Sequence, residues 1–346
     1  MQPPRRITVR DIAEACGVHY TTVARSLKND PRISAATREK VTAVAKRLGY
    51  MADPMMAAFS AYRQKNRIAS FHGTLAWVTN FSGRTDWKNP ATELYFQGAR
   101  ERAQELGYKL EEFWLRESGM SPRRASNILI SRGVRGLLLC PQPGAHTRLD
   151  IQWESFSAVT LGYSMSRPNL HRVTTAHFHS VGQLFAKLRR LGHKRIGLVC
   201  WKHANERNDR LWSAGYLDQT DSHAPEKALP VCYCRKNGHN KKAFFKWYER
   251  HKPDAIITNN YASGPLQWLQ ERGVSVPGET SVAMLSLQQR DTGLAGIDER
   301  PVLIGRAATD LIARMLSDGE RGIPDVPIRM MIEGGWVNGW TVAKRS

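Results

Sequence analysis

The sequence predicts a small all-α helix-turn-helix head followed by a larger α/β core with parallel sheets. Three observations predict it. Two short helical apolar stripes meet at a glycine near the N-terminus, strand-like apolar runs alternate with helical stretches from Gly73 onward, and positive charge is densest over the first 70 of 346 residues. Those 70 residues hold 13 Lys and Arg against 5 Asp and Glu, within a formal net charge of +20 for the chain. A balance that basic favours a polyanionic partner, either nucleic acid or an anionic membrane surface. A chain of this length also exceeds one typical domain and can bury a sizeable core beside a small module.

In the head, Val9, Ile12, Ala13 and Cys16 fall at i, i+3, i+4 and i+7, and Thr8 with Asp11 has the spacing of a capping box. A helix over residues 9–16 follows. Gly17 breaks the pattern, and a second helix over residues 20–27 turns Val23 and Leu27 inward. Two short helices meeting at a glycine turn can place the second in a DNA major groove. A third helix begins at the capping residue Ser34 and buries Val41, Val44, Ala45 and Leu48, closing a three-helix core. Its polar side carries Arg38, Lys40, Lys46 and Arg47, which suit either solvent or phosphate.

These residues carry a family resemblance. The runs ITVRDIAEACGV at 7–18, TVARSL at 22–27, TREKV at 37–41 and LGY at 48–50 resemble, without gaps, the head of the LacI (lactose repressor) family. The resemblance implies that Tyr20, Thr21 and Arg25 read bases, with Thr8, His19, Thr22, Asn29 and Arg38 on the DNA backbone. The chemistry agrees, because arginine bonds a guanine edge bidentately while tyrosine and threonine mix hydrogen bonds with thymine-methyl contact. His19 departs from the family's serine cap; an imidazole caps poorly, which makes it a candidate for phosphate contact. After Tyr50 the family has a hinge helix that wedges leucines into the minor groove. Here Asp53 and Pro54 supply helix-start chemistry and Met56 with Phe59 occupies the wedge, the competing reading being that both pack on the core.

Strand-like runs at 75–78, 110–114, 136–140, 159–161, 196–200, 255–258 and 281–285 alternate with helical stretches, which implies parallel sheets covered on both faces. Ser121-Pro122 starts one helix, and Gly192 ends another that begins near Val181. The resemblance continues through LGHKRIG at 191–197, AGY at 214–216 and EGGWVNGWT at 333–341, and implies a two-lobed periplasmic-binding-protein-like core with a ligand cleft. The expected organisation is a head over 1–52, a hinge and linker over 53–70 and a core over 71–346.

At the ligand positions the chain departs from the family. Trp212 stands where sugar- or purine-binding members place an arginine, Arg210 lies two residues earlier, Ser286 replaces a late aspartate, and Ala176 with His177 replaces an Asp/Asn pair. An indole face suits stacking on a sugar ring or an aromatic ligand, and the expected liners are His177, Arg210, Trp212, Asn259, Asn260 and Ser286. A degenerate pocket in a ligand-independent architectural DNA binder is the alternative.

Other classes fit less well. The chain has no G-x-S-x-G, P-loop, H-E-x-x-H or G-x-G-x-x-G motif, so no enzymatic activity and no cofactor are expected. His177 and His179, two apart on what reads as one strand face, complete no metal set. Cys232 and Cys234, near His239, lack zinc spacing and read as strand residues. A transport protein with this core would carry a signal peptide and no DNA-binding head. The expected protein is a cytoplasmic homodimeric regulator, a repressor by the family's habit, whose partners are an operator duplex and a small effector of the carbohydrate class, with no membrane.

Overall fold

The computed structural model describes residues 7–27, 30, 32–50, 73–223, 228–235, 240–259, 264–287 and 293–345. The head consists of α1 (Val9–Cys16), α2 (Tyr20–Ser26) and α3 (Ala35–Arg47). Thr8 and Asp11 form the capping box, and Gly17 ends α1 in the left-handed conformation at φ 67°, a geometry that glycine adopts without steric cost. Ser34 caps α3 by accepting from the Thr37 amide. Ile12, Ala13, Cys16, Val23, Val41 and Ala45 form one buried cluster. Lys40 Nζ donates to the Cys16 carbonyl at 3.1 Å, so this lysine closes the C-terminal end of α1.

The N lobe is built from β1 (Gly73–Thr79), α4 (Pro90–Glu105), β2 (Tyr108–Trp114), α5 (Pro122–Ser131), β3 (Gly136–Leu139), β5 (Ser157–Leu161) and β7 (His171–Thr175), with β4 (Thr147–Arg148) pairing β6 (Met165–Arg167) beside it. The C lobe follows with α6 (His177–Arg190), β8 (Ile196–Trp201), α7 (Lys202–Arg207), α8 (Leu211–His223), β9 (Cys232–Cys234), α9 (Asn240–His251), β10 (Ala255–Thr258), α10 (Pro265–Glu271), β11 (Ser281–Leu287) and β12 (Gly296–Asp298). The chain then returns through α11 (Pro301–Asp318) and β13 (Arg329–Ile332), and crosses once more to β14 (Gly335–Val337). Each lobe holds a six-stranded sheet, in the orders β13-β7-β5-β3-β1-β2 and β14-β12-β11-β10-β8-β9. Every pairing in the first is parallel; in the second, β14 runs antiparallel to β12.

β3 and β5 are buried at every residue, which is why they read as unbroken apolar runs. On one face of the N-lobe sheet, Leu75, Trp77 and Val159 meet Ile304, Ala308 and Ile312 of α11, so a helix from late in the chain completes the early lobe. A Cβ on Gly98 of α4 would overlap the Val302 carbonyl of α11, and one on Gly305 would overlap the Tyr95 carbonyl. The two helix backbones therefore touch through paired glycines.

One sequence expectation is corrected. His177 and His179 do not share a strand face; they open α6, which begins four residues before the expected start near Val181. Its N-cap is Ala176, which makes no side-chain cap bond, so the usual start signal is missing from the sequence. His177 is buried, whereas His179 is exposed with Nδ1 2.9 Å from Glu333 Oε1. Cys232 and Cys234 lie buried on β9. Among the described residues no helix is long and apolar enough to cross a membrane.

Candidate nucleic-acid interface and interlobe cleft

In the head, Val23 and Ser26 turn α2 onto the three-helix core and leave Tyr20, Thr21 and Arg25 on its exposed side. Tyr20 is 49% exposed. His19 makes no cap bond; its Nδ1 pairs with Thr21 Oγ1 at 2.8 Å and its ring lies 4.4 Å from that of Tyr20. His19 is thereby tied to the side of α2 that carries the reading candidates. Thr8 is exposed, and Thr22 and Arg38 are half-buried. Asn29, Met56 and Phe59 lie outside the described residues.

Between the lobes lies a cavity of about 210 Å³. Of the expected liners, His177, Trp212, Asn259 and Ser286 reach it, and Asn260 lies outside the described residues. Arg210 does not line it. Arg210 and Asp209 form the turn between α7 and α8, both left-handed at φ 59° and 54°, and Arg207 enters the cavity wall from the end of α7 instead. Asn205 holds that turn by donating to Ser213 Oγ at 2.8 Å and accepting from the Ser213 amide at 3.2 Å.

The wall is aromatic and polar at once. The His177 ring sits between Trp212, 5.5 Å away edge-on, and Tyr163 at 6.1 Å. Its Nδ1 is 3.3 Å from Glu299 Oε1, but neither atom has a hydrogen-bond partner. Trp212 Nε1 and Arg207 Nε are likewise buried without partners. Burial, followed by the Glu299 charge, pushes the Tyr95 hydroxyl up, keeping it a neutral donor and acceptor. Burial pushes the Arg207 guanidinium down, while its Nη2 reaches across to the Gln142 carbonyl at 2.7 Å. His203 Nε2 donates to the Pro143 carbonyl at 3.3 Å, a second bond between the lips. Sequence reasoning missed Glu299, Arg207 and Tyr95, because nothing local marks them as buried.

Three comparisons place this architecture. Residues 8–53 match the family model of bacterial regulatory proteins, lacI family, and residues 185–335 match that of the periplasmic binding protein-like domain. The HTH-type transcriptional regulator DegA of Bacillus subtilis (strain 168) is 33% identical over 289 residues, covering 80% of this chain and 80% of its own. A crystal structure of the lac repressor dimer bound to operator and the anti-inducer ONPF matches with a TM-score of 0.56 at 19% identity, covering 98% of this chain and 100% of that one. A complex of the regulator CelR with cellobiose matches with a TM-score of 0.56 at 19% identity, covering 97% and 100%. At those identities the two structures speak to the fold alone.

Proposed function

The chain belongs to the lacI family of bacterial regulatory proteins, and from that membership we propose that it is a repressor binding a pseudo-palindromic operator as a homodimer. In this reading the head over 1–52 presents Tyr20, Thr21 and Arg25 to base edges, with Thr8, His19, Thr22, Asn29 and Arg38 on phosphates. Met56 and Phe59, in the hinge and linker over 53–70, enter the minor groove at the centre of the site. The core over 71–346 dimerises and takes a neutral, polyhydroxylated ligand of the sugar class between its lobes. Its occupancy shifts the spacing of the two hinges and so the affinity for operator.

The unsatisfied lining of the cavity carries the ligand half of this proposal. Trp212 Nε1, Arg207 Nε and Glu299 Oε1 are buried with no partner, and leaving such groups unmade costs about 1–3 kcal/mol each, more for the charged ones. A hydroxylated ring satisfies donors and acceptors together and lays its C–H face on an indole. A pocket abandoned to an architectural role has no reason to keep a carboxylate oxygen, a guanidinium Nε and an indole N–H buried without a hydrogen bond. The CelR–cellobiose complex is a precedent for a sugar ligand on this fold.

Two measurements test the proposal. Selection of duplexes from a random DNA pool at stated salt is expected to enrich a palindrome; recovery of unspecific DNA alone favours the architectural alternative. Melting across a sugar and nucleoside panel is expected to show stabilisation of about 2.7 kcal/mol when a ligand reaches 100 times its Kd. A panel without a hit, beside a recovered palindrome, sinks the sugar while sparing the operator.

A further inference from the structure

Outside the interlobe cavity, and sharing Tyr163 with its wall, the N lobe carries a second and more open cavity of about 750 Å³. Its ionisable lining is Arg167, Arg172, Arg329 and His146, with Asp150 from the N lobe and Asp209 from the C-lobe turn. Arg172 is 7% exposed. Its Nη2 donates to the Met165 carbonyl at 2.9 Å, its guanidinium lies 4.8 Å from the Tyr163 ring centre, and its Nε has no partner. Among the described residues no carboxylate lies within 4.0 Å of Arg167, Arg172 or Arg329. Burial, then the neighbouring Arg329 charge, pushes the Arg172 guanidinium down.

We propose that this cavity is a binding site for a small oxyanion, a phosphate monoester or a carboxylate, seated on Arg172 with Arg167 and Arg329 at its rim. A buried charge without a counter-ion is strongly unfavourable, and a guanidinium fork matches a planar or tetrahedral oxyanion in geometry as well as charge. The N lobe's share of the lining is three arginines and a histidine against one aspartate, so it can hold the anion without the C lobe. Asp209 is the acidic group that approaches from the other side of the cleft. An anion on Arg172 repels Asp209 and favours an open cleft, so it acts against any ligand that closes the interlobe cavity. The site adjoins the proposed sugar site through Tyr163, but anion binding there requires neither the sugar nor the operator reading.

The test is calorimetric titration of the full chain at constant ionic strength with inorganic phosphate, methyl phosphate and acetate, in wild type, Arg172→Met and Arg329→Gln. Saturable binding of at least one anion is expected, weakened about tenfold or more by Arg172→Met and less by Arg329→Gln. Arg172→Met is expected to melt no lower than wild type in anion-free buffer, because it removes an unpaired buried charge. Saturation by the two phosphates identifies a phosphate ligand, and by acetate alone a carboxylate. No saturable binding, or affinity unchanged in Arg172→Met, overturns the proposal; if that variant does not fold, unchanged affinity in the exposed variant Arg329→Gln overturns it.

Discussion

Arg25 stands on the exposed side of α2, opposite the buried Val23 and Ser26. If it bonds a guanine edge, Arg25→Ala is expected to lose about 1–3 kcal/mol of discrimination at one base pair of each half-site and little elsewhere. Competition binding with single-base variants of the selected duplex checks this; a uniform loss at every position assigns Arg25 to phosphate instead. Trp212 is expected to behave in the opposite way. Trp212→Ala removes the indole beside His177, so the ligand-induced melting shift should fall while the selected DNA sequence stays the same. At this scale the sequence exposed the side chains that family positions mark: His177, Trp212, Asn259 and Ser286 all reach the cavity. Glu299 was not legible. It sits in an Asp-Glu-Arg triplet between a short strand and a helix, which reads as solvated until two lobes close over it.

Helices α4 and α11 are held by touching backbones and by charges at their rims. Gly98→Ala is expected to lower stability by about 1–3 kcal/mol, since the added methyl meets the Val302 backbone rather than a movable side chain. Adding Gly305→Ala should cost less than its single effect, because the first substitution already separates the helices; chemical denaturation of both singles and the double reads this out. Across the same seam, Glu105 bonds Arg306 and Arg102, and Arg102 bonds Asp310. The Arg306 guanidinium, then that of Arg102, holds the Glu105 carboxyl down at about 2 from an ordinary 4.5. A depressed carboxylate contributes stability above its unfolded value and loses it as pH falls through the folded one. Glu105→Gln is therefore expected to cost under about 1 kcal/mol at neutral pH, the pair being half exposed, with the gap to wild type closing as pH falls from about 4.5 to about 2. Elements of this kind were legible where their signals are local: Thr8 with Asp11 and Ser34 mark the starts of α1 and α3. The start of α6 was not, because Ala176 carries no cap and the helix begins where the chain leaves one lobe for the other.

At the scale of the molecule, three short segments join the lobes, between β7 and α6, between β12 and α11, and between β13 and β14. The lips are tied by Arg207 to the Gln142 carbonyl and by His203 to the Pro143 carbonyl. Arg207→Ala is expected to open the unliganded core, seen as a larger radius of gyration in small-angle scattering; an unchanged profile would show that these bonds do not hold the cleft. The alternation of strands and helices made two sheets legible, but not which late segments return to the first lobe, since a return is a property of packing and leaves no periodicity.

That return also sets an order of assembly during synthesis. The N lobe begins at β1, yet Ile304, Ala308, Leu311, Ile312 and Met315, which cover one face of its sheet, leave the ribosome only after the strands of the C lobe from β8 to β12. Until then an apolar face that includes Leu75, Trp77 and Val159 stands open, the kind of surface that chaperones hold and that aggregates when they do not. The C lobe at that point still lacks its edge strand β14 and the tail that follows it, whose Val342 packs on the C-lobe core. The lobe that is made first is closed only after most of the second has been made.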